Sequence, residues 1–522
     1  MLYDFGVLSH RSLALALGVG FAAFGAIPVF SDELSPLAQK RWFEARTTHF
    51  HTYSCGSTPE VARLAAHLEQ FHQAYAALAG AQAVTSPPIV VLAFPDHDAL
   101  REFLPRYDGK PANLAGFFIR SSDENLIVMS LAAQESGGLE TILHEYAHLL
   151  LRRNQRVWPL WLNEGMADIY ATFEVTGEHT VRIGRPMELY LEVLARRPLM
   201  SLRQLCAVTH DSSEYNERER QGIFYAESWL LTHYLMCGAS PDYRARFGGM
   251  TGLLRLGQFP EQALTNSFRV TLTQMEAQLR AYLERGRFVP QPLTTSANLL
   301  QPQPLATRGL TPVETLFRLG DELLRLGRFE EAERYFSAAQ KLAPASALGY
   351  EGMGLLAGER GHPEAAAEAL RQALQLSSKS FLAHFVYARE KFRLAARSQD
   401  TFSRVPAPAA AEIRTELERS LELMPEFGPA HHLLGVLEFV QGENRSAGEA
   451  QLARALQLEP ENQSYALTLA QAQLMAEAIQ AARQTLEPLC LPNADPQVRV
   501  HAEELLERVK QAEDARGAKF NR

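Results

Sequence analysis

The feature that most restricts the fold of this 522-residue chain is a 34-residue spacing in its C-terminal part. Gly327 and Gly361 stand 34 residues apart, as do Ala332 and Ala366, and Gly320 and Gly354. Pro344 is answered by Ser378 at the same offset. A later copy carries Gly435, Gly442 and Ala447 at matching positions and closes at Pro460. Between these marks the apolar residues recur with helical period. Small residues fall where two antiparallel helices would have to approach closely. A unit of this size cannot bury its apolar face alone, so copies must stack into a continuous core. The spacing predicts an α-helical solenoid over 312–510. One copy, around 379–425, is stretched by the Pro/Ala-rich insertion Val405–Ala411, and a fifth, degenerate copy runs through Gln463–Leu491.

A 34-residue helical unit with small residues at the contacts and a closing proline resembles the tetratricopeptide repeat (TPR), although the tryptophan and first leucine of that pattern are not all present. The resemblance implies a TPR-like array whose concave face takes a protein partner.

Upstream the pattern is different. His49–Ser54, Ile89–Phe94, Gly116–Arg120 and Asn125–Leu131 read as strands, and Pro59–Gly80 reads as a helix between the first two. After Gly137-Gly138 the chain becomes mostly helical to about Arg287. A small sheet followed by helices predicts an α+β domain over 40–287. Residues 288–311 hold four prolines and no period, and read as a linker. At the other end, twenty uncharged residues follow Arg11. As a helix they would span roughly 30 Å. Residues 1–31 therefore read as a cleaved secretory signal or a membrane anchor. The expected location is periplasmic or extracellular, or membrane-attached through residues 12–31.

Composition narrows the function. Hydrophobic residues make up 46% and charged residues 21%, the balance of a core-burying protein. A net charge of −9 leaves no basic footprint for nucleic acid. Four cysteines without a CxxC pair exclude a disulfide scaffold and a cysteine-built zinc site. Whether Cys206 and Cys237 pair is not decided by spacing.

The chemistry is carried by Leu143–Leu149 (LHEYAHL). His144 and His148 lie four apart on a segment of helical period, so both imidazoles project from one face. They can occupy adjacent vertices of a tetrahedral Zn2+ ion. Glu145 flanks the same face, placed as general base for a zinc-bound water. Sixteen residues after His148, Glu164 opens a second helical pattern in Pro159–Phe173 (PLWLNEGMADIYATF) and can supply the third ligand. Asp168, one turn further on, can accept the other ring N–H of a ligand histidine.

HEYAH followed by PLWLNEGMADIY resembles the gluzincin metallopeptidases, particularly the peptidase-MA-like group of bacterial exported proteins. The resemblance covers about 40–285 and implies a zincin-like α+β fold. It also implies His144, His148 and Glu164 as zinc ligands, Glu145 as the base and Asp168 as the acid behind a ligand. The gap from His148 to Glu164 is shorter than in the larger gluzincins, so their specificity does not carry over. The resemblance further places Asn125–Leu131 as an edge strand that pairs with an extended substrate. It also offers Tyr225, in Gly222–Leu235, as a second donor to the transition state, a position equally open to a core tyrosine. His233, the pair His49 and His51, and the pair His431 and His432 read as structural.

The expected function is an exported zinc metallopeptidase acting on a peptide or protein, with the array recruiting a protein partner. One alternative is a zinc-holding protein with little or no turnover that serves as an interaction scaffold. Another is zinc hydrolysis of a substrate other than a peptide.

Overall fold

The computed structural model describes residues 34–520 apart from 80–88, 135–137, 155–157, 210–211, 239–240, 300–304, 397–403, 492–494 and a few single positions. The expected export segment 1–31 lies outside the described residues. Among those described, no helix is long and apolar enough to cross a membrane.

Beside a short two-stranded ribbon, Arg106–Tyr107 with Lys110–Pro111, the strands are β1 (Phe43–Arg46), β2 (Phe50–Ser54), β3 (Ile89–Phe94), β4 (Gly116–Ile119), β5 (Leu126–Ser130), β6 (Glu174–Gly177), β7 (Thr180–Ile183), β8 (Gln291–Thr294) and β9 (Thr307–Gly309). Six of them form one sheet in the order β9-β1-β2-β3-β5-β4. β2, β3 and β5 run parallel, with Thr52 opposite Val91 and Val91 opposite Ile127. β4 runs antiparallel to β5 at one edge, with Gly116 opposite Met129. A parallel pair needs a crossover, and helix α1 (Thr58–Ala79) supplies it between β2 and β3. The four strands and the helix expected from the sequence are therefore present within a residue or two of their bounds.

Successive residues of β3 face opposite ways, as in any strand. Ile89, Val91 and Ala93 enter a core with Phe50, Leu68, Phe71 and Met129. Val90, Leu92 and Phe94 enter a second core with Tyr53, Leu126 and Val128. All six are buried because both faces of the sheet are covered. Helices α1, α2 (Gly138–Asn154) and α3 (Leu160–Ala171) cover the first face. The second is covered by Leu100, Phe103, Leu104 and Leu114 from the segment after β3 together with the first repeat, through Leu316, Phe317, Leu319, Leu323 and Leu324.

Three expectations need correction. The stretch 288–311 is more than a spacer: β8 extends the small sheet β8-β7-β6, and β9 pairs with β1 at the edge of the main sheet. The strand at Asn125–Leu131 is not an edge, because β5 lies between β3 and β4; the free edge on that side is β4. The region after Gly138 is also interrupted by the hairpin β6–β7. All four cysteines, Cys206 and Cys237 included, are unpaired.

The array is built of helix pairs: Pro312–Arg325 with Phe329–Leu342, Ala347–Glu359 with Pro363–Gln375, Phe381–Ala395 with Ala407–Leu423, Gly428–Gln441 with Arg445–Leu458, and Gln463–Met475 with Ile479–Leu486. Helix Pro496–Phe520 follows. The repeated glycines have two uses. Gly327, Gly361 and Gly442 take φ of +70°, +75° and +77° in the turn inside a pair, where a side chain would be strained. Gly354 sits where its two helices touch, so that a Cβ would lie 2.4 Å from Leu370 Cγ.

Candidate metal centre

The sequence break at Trp158-Pro159 lets α3 start anew, with Pro159 as its N-cap in extended backbone. α3 then packs against both α2 and α5 (Arg218–His233). Gly165 makes the close approach to α5 possible, since a Cβ there would fall 2.4 Å from the Ser228 carbonyl oxygen. That contact fixes where Glu164 stands against α2.

His144, His148 and Glu164 converge. Glu164 Oε2 lies 3.4 Å from His144 Nε2 and 3.3 Å from His148 Nε2, and the two Nε2 atoms are 3.0 Å apart. Zinc–ligand bonds of about 2.0–2.1 Å at the tetrahedral angle separate neighbouring ligand atoms by about 3.3 Å. The three donors thus already form a triangle of the size of one tetrahedral face. Their side chains are 4%, 15% and 3% exposed, so a cation there would be largely shielded from solvent.

His144 Nδ1 donates to Asp168 Oδ1 at 2.8 Å. In the neutral imidazole this hydrogen bond keeps the proton on Nδ1 and leaves the Nε2 lone pair to face His148 and Glu164. Tyr190, on α4 (Glu188–Arg196), donates its hydroxyl to the same Asp168 oxygen at 3.2 Å. The support continues outward. Thr172 Oγ1 accepts from the backbone N–H groups of Gly184 and Arg185, both at 2.9 Å, and ties β7 to the end of α3. His233 Nε2 donates to the Gly184 carbonyl at 2.8 Å while its Nδ1 accepts from the Tyr282 hydroxyl at 2.8 Å. The chain leaving this junction enters α4 and delivers Tyr190.

The electrostatics belong to a buried cluster of acids and bases. Burial works against a charged His144, but Asp168 and Glu164 outweigh it and carry its pKa well above the usual value. His148 is likewise raised, burial being overcome by Glu164. Glu164 is lowered to about 2, its burial outweighed by the two histidines. Asp168 is raised, because burial there exceeds the pull of His144. Glu145 is half-buried on α2, and its charge reaches both histidines. Tyr225 is buried on α5; burial and then the charge of Glu164 push its hydroxyl far up, so it stays protonated, and it bonds to Tyr215.

The structure therefore brings together His144, His148, Glu164, Asp168 and Glu145, and sets Tyr225 within the field of Glu164. Sequence reasoning missed Tyr190, because nothing in its spacing marks it: the contact exists only through the hairpin that aims α4. The histidines read as structural have ordinary partners. His49 bonds Glu69 at 2.8 Å, His431 bonds Pro425 O and Gln451, and His432 stacks on Tyr465. His51 is kept neutral, its pKa lowered to about 4 chiefly by burial.

A helical array of paired repeats joined to an α+β domain with a histidine–carboxylate cluster is the class that fold and site define. Residues 313–346 match the family model of the tetratricopeptide repeat, and the chain carries TPR repeats. Residues 139–245, which span both site helices, match the family described as protein of unknown function (DUF1570). No curated protein matches the chain. Among solved structures it is similar to MamA, at 16% identity over 38% of this chain and 96% of that one, with a TM-score of 0.26. It is also similar to TTC0263, a thermophilic TPR protein in Thermus thermophilus, at 21% identity over 37% and 98%, with a TM-score of 0.29. A third is PilW, a type IV pilus biogenesis factor, at 18% identity over 41% and 95%, with a TM-score of 0.31.

Proposed function

We propose that this chain is an exported zinc-dependent metallopeptidase of gluzincin type, with a zincin-like catalytic domain and a TPR array that recruits a protein partner. The observation that carries the reading is the donor triangle of His144, His148 and Glu164, with sides of 3.0, 3.3 and 3.4 Å. Two neutral imidazoles and one carboxylate are the donor set of a catalytic zinc, which keeps a further position open. Zinc held there supplies a Lewis acid that polarises a carbonyl and makes water acidic near neutral pH. Glu145 stands beside the ligands without being one of them, and takes up the proton of the attacking water. Asp168 holds His144 in the tautomer that presents Nε2. Tyr225, protonated and buried, is the candidate donor to the oxygen on which charge develops. Residues 12–31 supply the export reading, and N-terminal sequencing of the mature protein tests it.

Zinc content per chain, wild type beside His144→Ala/His148→Ala, is the direct test. One zinc in the wild type and none in the variant supports the centre, and a peptide-library cleavage screen then tests turnover. Glu164→Ala is expected to lose zinc at chelator concentrations the wild type withstands. Glu145→Gln is expected to keep zinc and lose cleavage, because the base is not a ligand. Bound zinc with no cleavage of any peptide favours the alternative of a zinc-holding scaffold.

A further inference from the structure

The turn between β4 and β5, residues 120–125, is held from two distant parts of the array. Arg325, at the end of the first repeat helix, places Nη2 3.3 Å from Asp123 Oδ2 and 3.4 Å from Glu124 Oε1. Its Nε also reaches Asp321 at 3.2 Å, and its side chain is only 10% exposed. From the turn after the fourth pair, Glu461 Oε2 lies 3.6 Å from Arg120 Nη2. Arg325 and Glu461 are 136 residues apart in sequence. Stacked in line at roughly 10 Å per pair, four repeats would cover about 40 Å. A six-residue turn spans at most about 20 Å. Both contacts nevertheless fall on this one turn, so the first and fourth pairs are tied together through it.

The held turn is attached to something that matters for the site. β4 is the edge strand on this side of the sheet, and it packs directly on α2. At Gly116 a Cβ would lie 3.1 Å from Ile142 Cδ1, two residues before His144. We propose that the array grips the β4–β5 turn at both ends, through Arg325 on Asp123 and Glu124 and through Glu461 on Arg120. The curvature of the array thereby controls the position and mobility of edge strand β4 beside the histidine helix. A partner that straightens or tightens the repeats acts on the site through this turn. The two contacts differ in kind. The Arg325 cluster is nearly buried, where loss of one partner leaves charges stranded. The Arg120–Glu461 pair is 29% and 41% exposed and acts as a weak, adjustable latch.

The inference leans on the peptidase reading only for the importance of β4, so its test avoids turnover. Amide hydrogen exchange is measured on the full chain, wild type beside Arg325→Gln, Glu461→Arg, Arg120→Glu and the swap Arg120→Glu/Glu461→Arg. Arg325→Gln is expected to speed exchange at 116–130 by tenfold or more while β2 and β3 stay protected. Each single latch variant is expected to speed it two- to threefold, and the swap is expected to restore it. Unchanged exchange at 116–130 in a folded Arg325→Gln chain overturns the grip. Should that variant unfold, the exposed latch decides alone: single variants without effect, or a swap that fails to restore protection, overturn the proposal. Loss of the peptidase reading would leave these exchange rates untouched.

Discussion

Gly165→Ala is the substitution on which local propensity and tertiary packing disagree most. In an open helix the change stabilises by about 1 kcal/mol, because alanine loses less backbone freedom. In α3 the new Cβ would stand 2.1 Å from Thr232 Oγ1 and 2.4 Å from the Ser228 carbonyl oxygen. The threonine hydroxyl can swing aside, but the carbonyl belongs to the backbone of α5 and cannot. Cβ atoms do not approach closer than 3.0 Å, so the two helices must part by at least 0.6 Å there. Overpacking a filled contact costs about 1–3 kcal/mol, which cancels the propensity gain and leaves a net loss of up to about 2 kcal/mol. The larger effect falls on the neighbour. Glu164 moves with α3 away from its stance against α2, and a site held to within about 0.5 Å does not tolerate that.

The assay is a pair of measurements on one preparation: urea unfolding, and zinc competition against a chromophoric chelator. Gly165→Ala is expected to lower the unfolding midpoint and to weaken zinc roughly tenfold or more. Adding Thr232→Ala should recover only part of the loss, because the carbonyl contact remains. A variant that is more stable than wild type and holds zinc equally well would refute the reasoning. It would mean that α3 does not need glycine to place Glu164.

Asp168→Asn should weaken zinc by about 10–100-fold by removing the charge behind His144, and Tyr190→Phe should weaken it less, both read by the same competition. Zinc binding near pH 7 should release protons, since His144 and His148 are raised without metal and must be neutral as ligands; calorimetry in buffers of different ionisation heat shows this as a buffer-dependent enthalpy. His233, fully buried with its pKa lowered to about 4, is neutral in the folded chain while the unfolded form takes up a proton near pH 6.5. Its contribution is present above pH 6.5 and is lost as pH falls toward 4. That loss is about 2 kcal/mol between pH 7 and pH 5, checked by urea midpoints of wild type against His233→Gln. Removing residues 312–522 should leave a domain prone to aggregate on expression, because the part of its sheet under the first repeat is uncovered; a soluble, monomeric fragment with native circular dichroism would contradict the shared core.

How much of this was legible depends on how local each cause is. The two histidines and Glu145 could be read from a few adjacent residues, because a spacing of four on a helix forces a common face. Glu164 and Asp168 needed only the next helix and its proline break. The repeat was legible because its glycines answer to backbone geometry, as the positive φ at Gly327, Gly361 and Gly442 shows. Tyr190 was not legible, since its contact with Asp168 depends on a hairpin, a threonine hydroxyl and His233 acting together. The place of β5 was misjudged for a related reason. Strand order is a tertiary fact, and an antiparallel edge such as β4 carries no mark that separates it from an interior strand.

The strand Ile89–Phe94 holds a signal about the array as well. IVVLAF has no alternation, and a six-residue strand without a polar face must be covered on both sides. The second cover is shared by the segment that carries Leu100, Phe103, Leu104 and Leu114 and by the first repeat, so the repeats are part of the fold of the first domain. Val90, Leu92, Phe94, Leu126 and Val128 are all at most 2% exposed against this side. Burying such a side chain fully is worth about 1.5–3 kcal/mol, so five of them contribute on the order of 10 kcal/mol. A whole domain is stable by only about 5–15 kcal/mol. The array supplies a share of that cover beside Leu100, Phe103 and Leu104, and the sheet is the surface on which α1 and α2 rest. A partner that pulled the first repeat away would not merely undock a module. It would strip part of the cover from the sheet beneath the helix that carries His144 and His148, and loosen the site with it.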